Sequence, residues 1–98
     1  MDVRWRNFIW DAEKERRVIS RRGITFKEAA LATLDPHALS GADTEHSEFE
    51  ERQWVLGMSP KKRVLLVIVT ERDGHWLRIV TARRATSSER EDYEQEII

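Results

Sequence analysis

Hydrophobic and polar positions along the chain change period twice. The three-residue apolar run Phe8-Ile9-Trp10 is closed by Asp11, a good N-cap, and the spacing beyond it predicts a helix from about Ala12 to Arg22. Its few apolar positions, Ala12, Val18 and Ile19, make a narrow stripe, so this is a surface helix, and its basic last turn suits the helix dipole. Gly23 stops it by taking the left-handed conformation, which places Ile24 to pack back on Ile19. A second helix opens with the capping box Thr25-Phe26-Lys27-Glu28, carries Phe26, Ala29, Ala30, Thr33 and Leu34 on one face, and ends before Asp35-Pro36. Residues 36–51 are polar and turn-rich and read as a long loop with a short strand at Ala38-Leu39-Ser40.

From there the period shortens. Three strands are predicted, Arg52 to Met58, Arg63 to Arg72 and His75 to Arg84, the last two joined by the hairpin dipeptide Asp73-Gly74. A two-residue loop sets Arg72 opposite His75, Ile68 opposite Ile79 and Val64 opposite Arg83, bringing Arg63 close to Arg84. The run Val64 to Val69 is apolar on both faces and marks a central strand. The chain closes with a helix opened by the capping box Thr86-Ser87-Ser88-Glu89, on which Tyr93 and Ile97 alone share an apolar face. The expected fold is α+β, with two N-terminal helices, a central antiparallel sheet of three to four strands and a C-terminal helix, in one domain spanning residues 1–98.

Composition sharpens the picture in two ways. With no cysteine, disulfide frameworks and thiolate metal sites are excluded and a reducing cytoplasm is the easiest fit; the longest apolar run falls far short of the ~20 residues a bilayer needs, so no membrane role is expected. The charged fraction of 36% is well above the usual quarter or so, and the net charge of −1 averages over segments of opposite sign. Asp43, Glu45, Glu48, Glu50 and Glu51 stand without a Lys or Arg between them, while Arg21, Arg22, Lys61, Lys62, Arg63, Arg78, Arg83 and Arg84 lie elsewhere and can form a patch that attracts phosphate.

The stretch Arg78-Ile79-Val80-Thr81-Ala82-Arg83-Arg84-Ala85-Thr86 concentrates candidate chemistry. Arginines at a strand end are held by the sheet as fixed forks suited to phosphate, although alternation sends Arg83 and Arg84 to opposite faces. The plainer alternative pairs them with Glu89 or Glu94 on the final helix. His46, beside Glu48, titrates near neutrality and is a candidate for proton transfer to and from ribose oxygens. The histidines His37, His46 and His75 have no metal-ligand spacing, so neither a metal nor another cofactor is expected. Among four tryptophans, Trp76 at the hairpin end is the one placed for nucleotide or partner contact.

These pieces together resemble the BrnT toxins of bacterial type II toxin–antitoxin modules. The resemblance is carried by Phe8 with Trp10-Asp11, by Gly23-Ile24-Thr25-Phe26-Lys27-Glu28-Ala29, by Asp35-Pro36 with Ala38-Leu39, by Asp43 with His46-Ser47-Glu48 and Glu50-Glu51-Arg52, by Gly57, and by Arg78 to Thr86 with Glu89-Arg90 and Tyr93. It implies a RelE-like toxin fold, metal-independent ribonuclease activity that blocks translation, and neutralisation by a BrnA antitoxin carrying a ribbon-helix-helix domain. That complex is typically a heterotetramer, meeting operator DNA only through the antitoxin. Relatives commonly carry a Lys-His pair before the glycine where this chain has Arg21-Arg22, and an asparagine where it has Val18; arginine cannot act as a base near neutral pH but can bind phosphate.

The expected mechanism is attack by the ribose 2′-hydroxyl on a phosphate clamped by Arg83, Arg84 and Arg63, with His46 and Glu48 moving protons and Tyr93 as a further candidate. Arg21, Arg22, Lys61, Lys62, Arg78 and Trp76 are expected to hold the RNA. The alternative is a non-catalytic module that uses its sheet and charged C-terminal helix only to hold an antitoxin or other partner.

Overall fold

The computed structural model describes residues 1–45, 51–72 and 74–97; His46 and Glu48 lie outside them. Nine elements follow in order: strands β1 (Asp2–Trp5) and β2 (Phe8–Asp11), helices α1 (Ala12–Arg22) and α2 (Phe26–Thr33), strands β3 (Leu39–Ala42), β4 (Gln53–Met58), β5 (Val64–Arg72) and β6 (Trp76–Arg84), and helix α3 (Ser87–Ile97). The α+β class, α1 and α2, the three central strands and the C-terminal helix agree with the pattern of the sequence.

The sheet departs from it. It has six strands in the order β1-β2-β6-β5-β4-β3, not three or four, and the chain begins with strands rather than helices. Nor is it wholly antiparallel, because β2 runs parallel to β6, with Phe8 opposite Leu77 and Ile9 opposite Arg78. A two-residue turn at Arg6 and Asn7 closes the N-terminal hairpin, Arg6 taking a φ of 54.

Register differs as well. Arg72 pairs with Trp76 rather than His75, and a bulge opposite Ile68 and Val69 leaves Val80 without a counterpart, so Leu66 faces Arg83 and Leu65 faces Arg84. The strand ends are thus displaced by two residues from the expected pairing, and Arg63 does not stand across from Arg84.

One face of the sheet carries the main core, in which Phe8, Trp10, Ile24, Phe26, Leu65, Val67 and Ile79 are almost wholly buried. Ile24 joins this core, while Ile19, its expected contact, stays 42% exposed. α1 begins at Asp11, whose carboxylate accepts from the Lys14 amide (2.9 Å), and ends at Gly23 in the left-handed conformation. Glu15 on α1 accepts from the Trp10 indole (2.9 Å) and the Phe26 amide (2.8 Å), so α1 caps the start of α2. α2 presses its Ala32 carbonyl onto Gly57 in β4 so closely that a Cβ there would lie 2.1 Å from the oxygen.

The opposite face has a smaller cluster, Leu56, Val64 and Tyr93, with Leu39, Trp54 and Leu66 packed against it. No helix among the described residues is long and apolar enough to cross a membrane.

Because neither the Ala32 carbonyl nor the β4 backbone can yield without moving an element, Gly57→Ala is expected to cost at least about 1–3 kcal/mol, the usual range for overpacking. Urea unfolding followed by far-UV circular dichroism checks this; an unchanged midpoint would show that α2 can lift off β4 freely.

Candidate functional site

The second face of the sheet is only partly roofed, since α3 buries Tyr93 alone among its described side chains. Tyr93 is 2% exposed and its hydroxyl donates to Asp35, which also accepts from the backbone amides of Met58 (2.8 Å) and His37 (2.9 Å). Burial pushes the Tyr93 phenol up, and the Asp35 carboxylate adds to the shift, to about 12. Burial also raises the Asp35 carboxyl, but the bonds it accepts outweigh this and leave it below its ordinary value. Tyr93 therefore pins α3 to the turn after α2; its proton is committed to Asp35, and it is no base near neutrality.

On either side of α3 lies a different surface. The first is a cleft of about 450 Å³ floored by the half-buried Trp54, Leu66, Ile68 and Thr81. Arg22, Arg83, Asp43, Glu45, Glu89 and Asp92 surround that floor. Trp54 lies directly over Gly41 of β3, where a Cβ would come within 2.7 Å of the indole. Arg83 forks onto Glu89 (2.8 and 2.9 Å) and Arg22 reaches across to the Ala82 carbonyl (2.8 Å).

Glu89 has a second duty. It accepts from the Thr86 amide (2.8 Å) while the Thr86 hydroxyl accepts from the Glu89 amide (3.2 Å), a reciprocal capping box that starts α3. The guanidinium of Arg83, with the Thr86 amide, holds the Glu89 carboxyl down at about 2 against the opposing effect of burial. The expected pairing of a strand-end arginine with Glu89 is thus present for Arg83.

The second surface is a notch of about 200 Å³ at the sheet end, lined by Lys62, Arg63, Arg84, Arg90 and Glu94 around Met58, Val64 and Ala85. Alternation sends Arg83 and Arg84 apart as anticipated, Arg83 sharing its side with Leu66 and Arg84 with Leu65. Arg63 and Arg84 do share a site, although by their position at the rim rather than by facing across strands. Lys62 adopts a φ of 60, the left-handed region that costs a non-glycine residue roughly 1–2 kcal/mol.

Arg63 is less free than its sequence neighbours suggest. It grips Glu28 through Nε (2.7 Å) and a terminal nitrogen (2.6 Å), donates to the Gly23 carbonyl (2.8 Å), and so raises its own pKa and lowers that of Glu28. Ser59 also donates to Glu28 (2.7 Å). Glu28 therefore does not complete the capping box expected of it, although the Thr25 hydroxyl still accepts from its amide (3.1 Å).

The remaining candidates scatter. Arg21 is exposed on α1 and lines a shallow surface with Arg16, Arg17 and Ser20. Arg78 pairs with Asp2 on the edge strand (3.1 Å), Trp76 lies beneath Arg4 at 5.2 Å, and Lys61 is exposed on the β4–β5 turn. His75 and His37 are exposed and neither lines the notch, although the amides of His37 and of Met58, a notch residue, donate to the same Asp35 carboxylate. Arg90 was missed by sequence reasoning; its place four residues before Glu94, on the helix side facing the strand end, was the available signal.

A small sheet with helices on one face and a lightly attached terminal helix on the other is an architecture shared with a known toxin. The crystal structure of the Brucella abortus ribonuclease toxin BrnT has the same fold, at a TM-score of 0.60 and 18% identity over 80% of this chain and 94% of that one. Residues 10–89 match the family model of the ribonuclease toxin BrnT of type II toxin–antitoxin systems, and the chain belongs to that family. It is thus a toxin of a toxin–antitoxin system, ribonuclease in family, with an antitoxin as its implied partner. No curated protein sequence matches it.

Glu89 contributes stability that is full above its ordinary value of 4.5 and is lost as pH falls towards about 2, since its folded carboxyl titrates lower than its unfolded one. The unfolding midpoint of Glu89→Gln should accordingly lie furthest below wild type at neutral pH, the gap closing in acid. A gap independent of pH would detach Glu89 from Arg83.

Proposed function

We propose that the protein is a metal-independent endoribonuclease on a RelE-like scaffold that arrests translation in the cytoplasm and is neutralised by a BrnA-type ribbon-helix-helix antitoxin, as a heterotetramer that meets operator DNA through the antitoxin. The observation that carries the catalytic part is the charge of the notch, four cations against one carboxylate, with Arg84 and Arg90 exposed beside the half-buried Arg63. An RNA phosphate seated there would meet Arg84, Arg90 and Lys62 as donors, while Arg63, fixed by Glu28, sets their floor.

Such cations stabilise the extra negative charge of a pentacovalent phosphorane formed when the 2′-hydroxyl attacks, typically by a few kcal/mol each. The 2′-oxygen bonds to phosphorus, the 5′-oxygen leaves with a proton, and the 2′-proton goes to a base. His46 and Glu48 are the groups proposed for those transfers. Arg83 serves less directly, since its guanidinium is engaged by Glu89. Along the exposed strip of Arg21, Arg16 and Arg17 the flanking RNA backbone would find further positive charge.

A second reading is favoured by one observation: among the described residues the notch lining includes no histidine. A chain that binds phosphate and antitoxin without cleaving would look the same there, and RNA left intact by pure, folded protein would decide for it.

Arg84→Ala, expressed at matched soluble levels, should lose growth arrest and about 10²-fold of RNA cleavage rate, with Arg83→Ala much milder. Undiminished toxicity of Arg84→Ala would remove the notch from the mechanism. Cleavage should also persist in EDTA; its abolition would replace the arginine clamp by metal chemistry.

A further inference from the structure

The cleft over the open sheet face has the opposite electrostatic character from the notch. Four carboxylates, Asp43, Glu45, Glu89 and Asp92, stand against two guanidiniums; Arg83 and Glu89 offset each other as an ion pair, and Arg22 is held on the Ala82 carbonyl, so Glu45 and Asp92 are the acids that count towards a partner. What it presents outward is negative charge around an apolar floor. On α3 the bias continues: Glu89, Glu91, Asp92, Glu94 and Glu96 face a single base, Arg90. RNA would be repelled from such a surface, whereas a cationic chain with one apolar side would fit it.

We propose that this cleft is the docking surface for a basic amphipathic segment of the antitoxin, which lays leucine-like side chains on Trp54, Leu66 and Ile68 and sets lysines or arginines against Glu45 and Asp92. The inference rests on the antitoxin partnership, not on the ribonuclease chemistry. The floor is apolar and half-buried in the isolated chain, the state expected of a patch that a partner completes. Arg83 stays on its border, where an incoming cation would compete with it for Glu89. Separation also follows from geometry. Glu89 and Asp92 belong to the cleft while Arg90 and Glu94 belong to the notch, so α3 divides a partner-facing surface from a phosphate-facing one.

The test titrates isotope-labelled full-length protein with a synthetic helix bearing one leucine face and one lysine face, and with its glutamate-for-lysine twin. Expected are chemical-shift changes at the Trp54 indole and at Leu66, Ile68 and Thr81, affinity lost with the twin, and binding about tenfold or more weaker in Asp92→Lys. Asp92 is exposed and makes no core contact, so this variant folds as the parent does; Leu66→Glu, with circular dichroism to confirm folding, should abolish binding.

Absence of binding, equal binding of the twin, shifts confined to the notch or to β1, the same shifts produced by a short single-stranded RNA, or burial of Trp54 by self-association would each overturn the proposal. RNA cleavage by the same preparation, and rescue of growth arrest by a co-expressed BrnA-type protein, report separately on the function proposed above, so that the peptide result bears on the cleft alone.

Discussion

Glu28 is a carboxylate with 4% of its side chain exposed, and three segments of the chain are arranged so that it is never left alone. It stands in the first turn of α2, takes Ser59 and Arg63 from the turn between β4 and β5, and through Arg63 reaches the carbonyl of Gly23 at the end of α1. Removing one member of such a buried pair typically costs about 3–5 kcal/mol, because the other charge is stranded away from water. Everything at this end of the sheet is referred to that knot. Lys62 precedes Arg63 and takes a left-handed backbone there, and the cationic notch is built on the same turn. Glu28 neutralises Arg63 from behind, so the charge left to act on a phosphate is that of Lys62, Arg84 and Arg90.

Two capping boxes with the same letters behave differently, which shows where local sequence stops being informative. Thr86 and Glu89 exchange hydrogen bonds as the motif prescribes, and Arg83 leans on the same carboxylate. Thr25 and Glu28 form only half, since the half-buried Arg63 draws the Glu28 side chain away and Glu15, from another helix, serves the Phe26 amide. The central strands were readable because period and turn residues are local. Their register was not, because the bulge at Val80 has no glycine to mark it.

The N-terminal strands were hidden for a similar reason. Asp2 to Trp5 does alternate charge with bulk, but over only four residues, while Phe8 to Trp10 is buried on both sides and shows no alternation, so periodicity marked neither as a strand. The neighbour that joins this hairpin to the rest of the sheet, β6, lies far along the chain from β2. At the site, strand alternation correctly separated Arg83 from Arg84, whereas the loss of Arg63 to Glu28 depends on a helix that approaches only in three dimensions. Tyr93 read as a candidate acid or base; its burial against Asp35 came from a turn more than fifty residues away.

The parallel pairing of β2 with β6 sets an order on the making of this molecule. Phe8 meets Leu77 and Asn7 accepts from the Leu77 amide at 2.9 Å, contacts that span most of the chain. Loop closure over that distance must precede any gain from the contacts themselves. During synthesis the hairpin of β1 and β2 is made before β6 and lacks that neighbour until β6 has been added. The notch, which needs Arg84 and Arg90, comes later still. A chain that has made β2 but not yet β6 therefore carries an apolar strand without its inner neighbour and has no phosphate site.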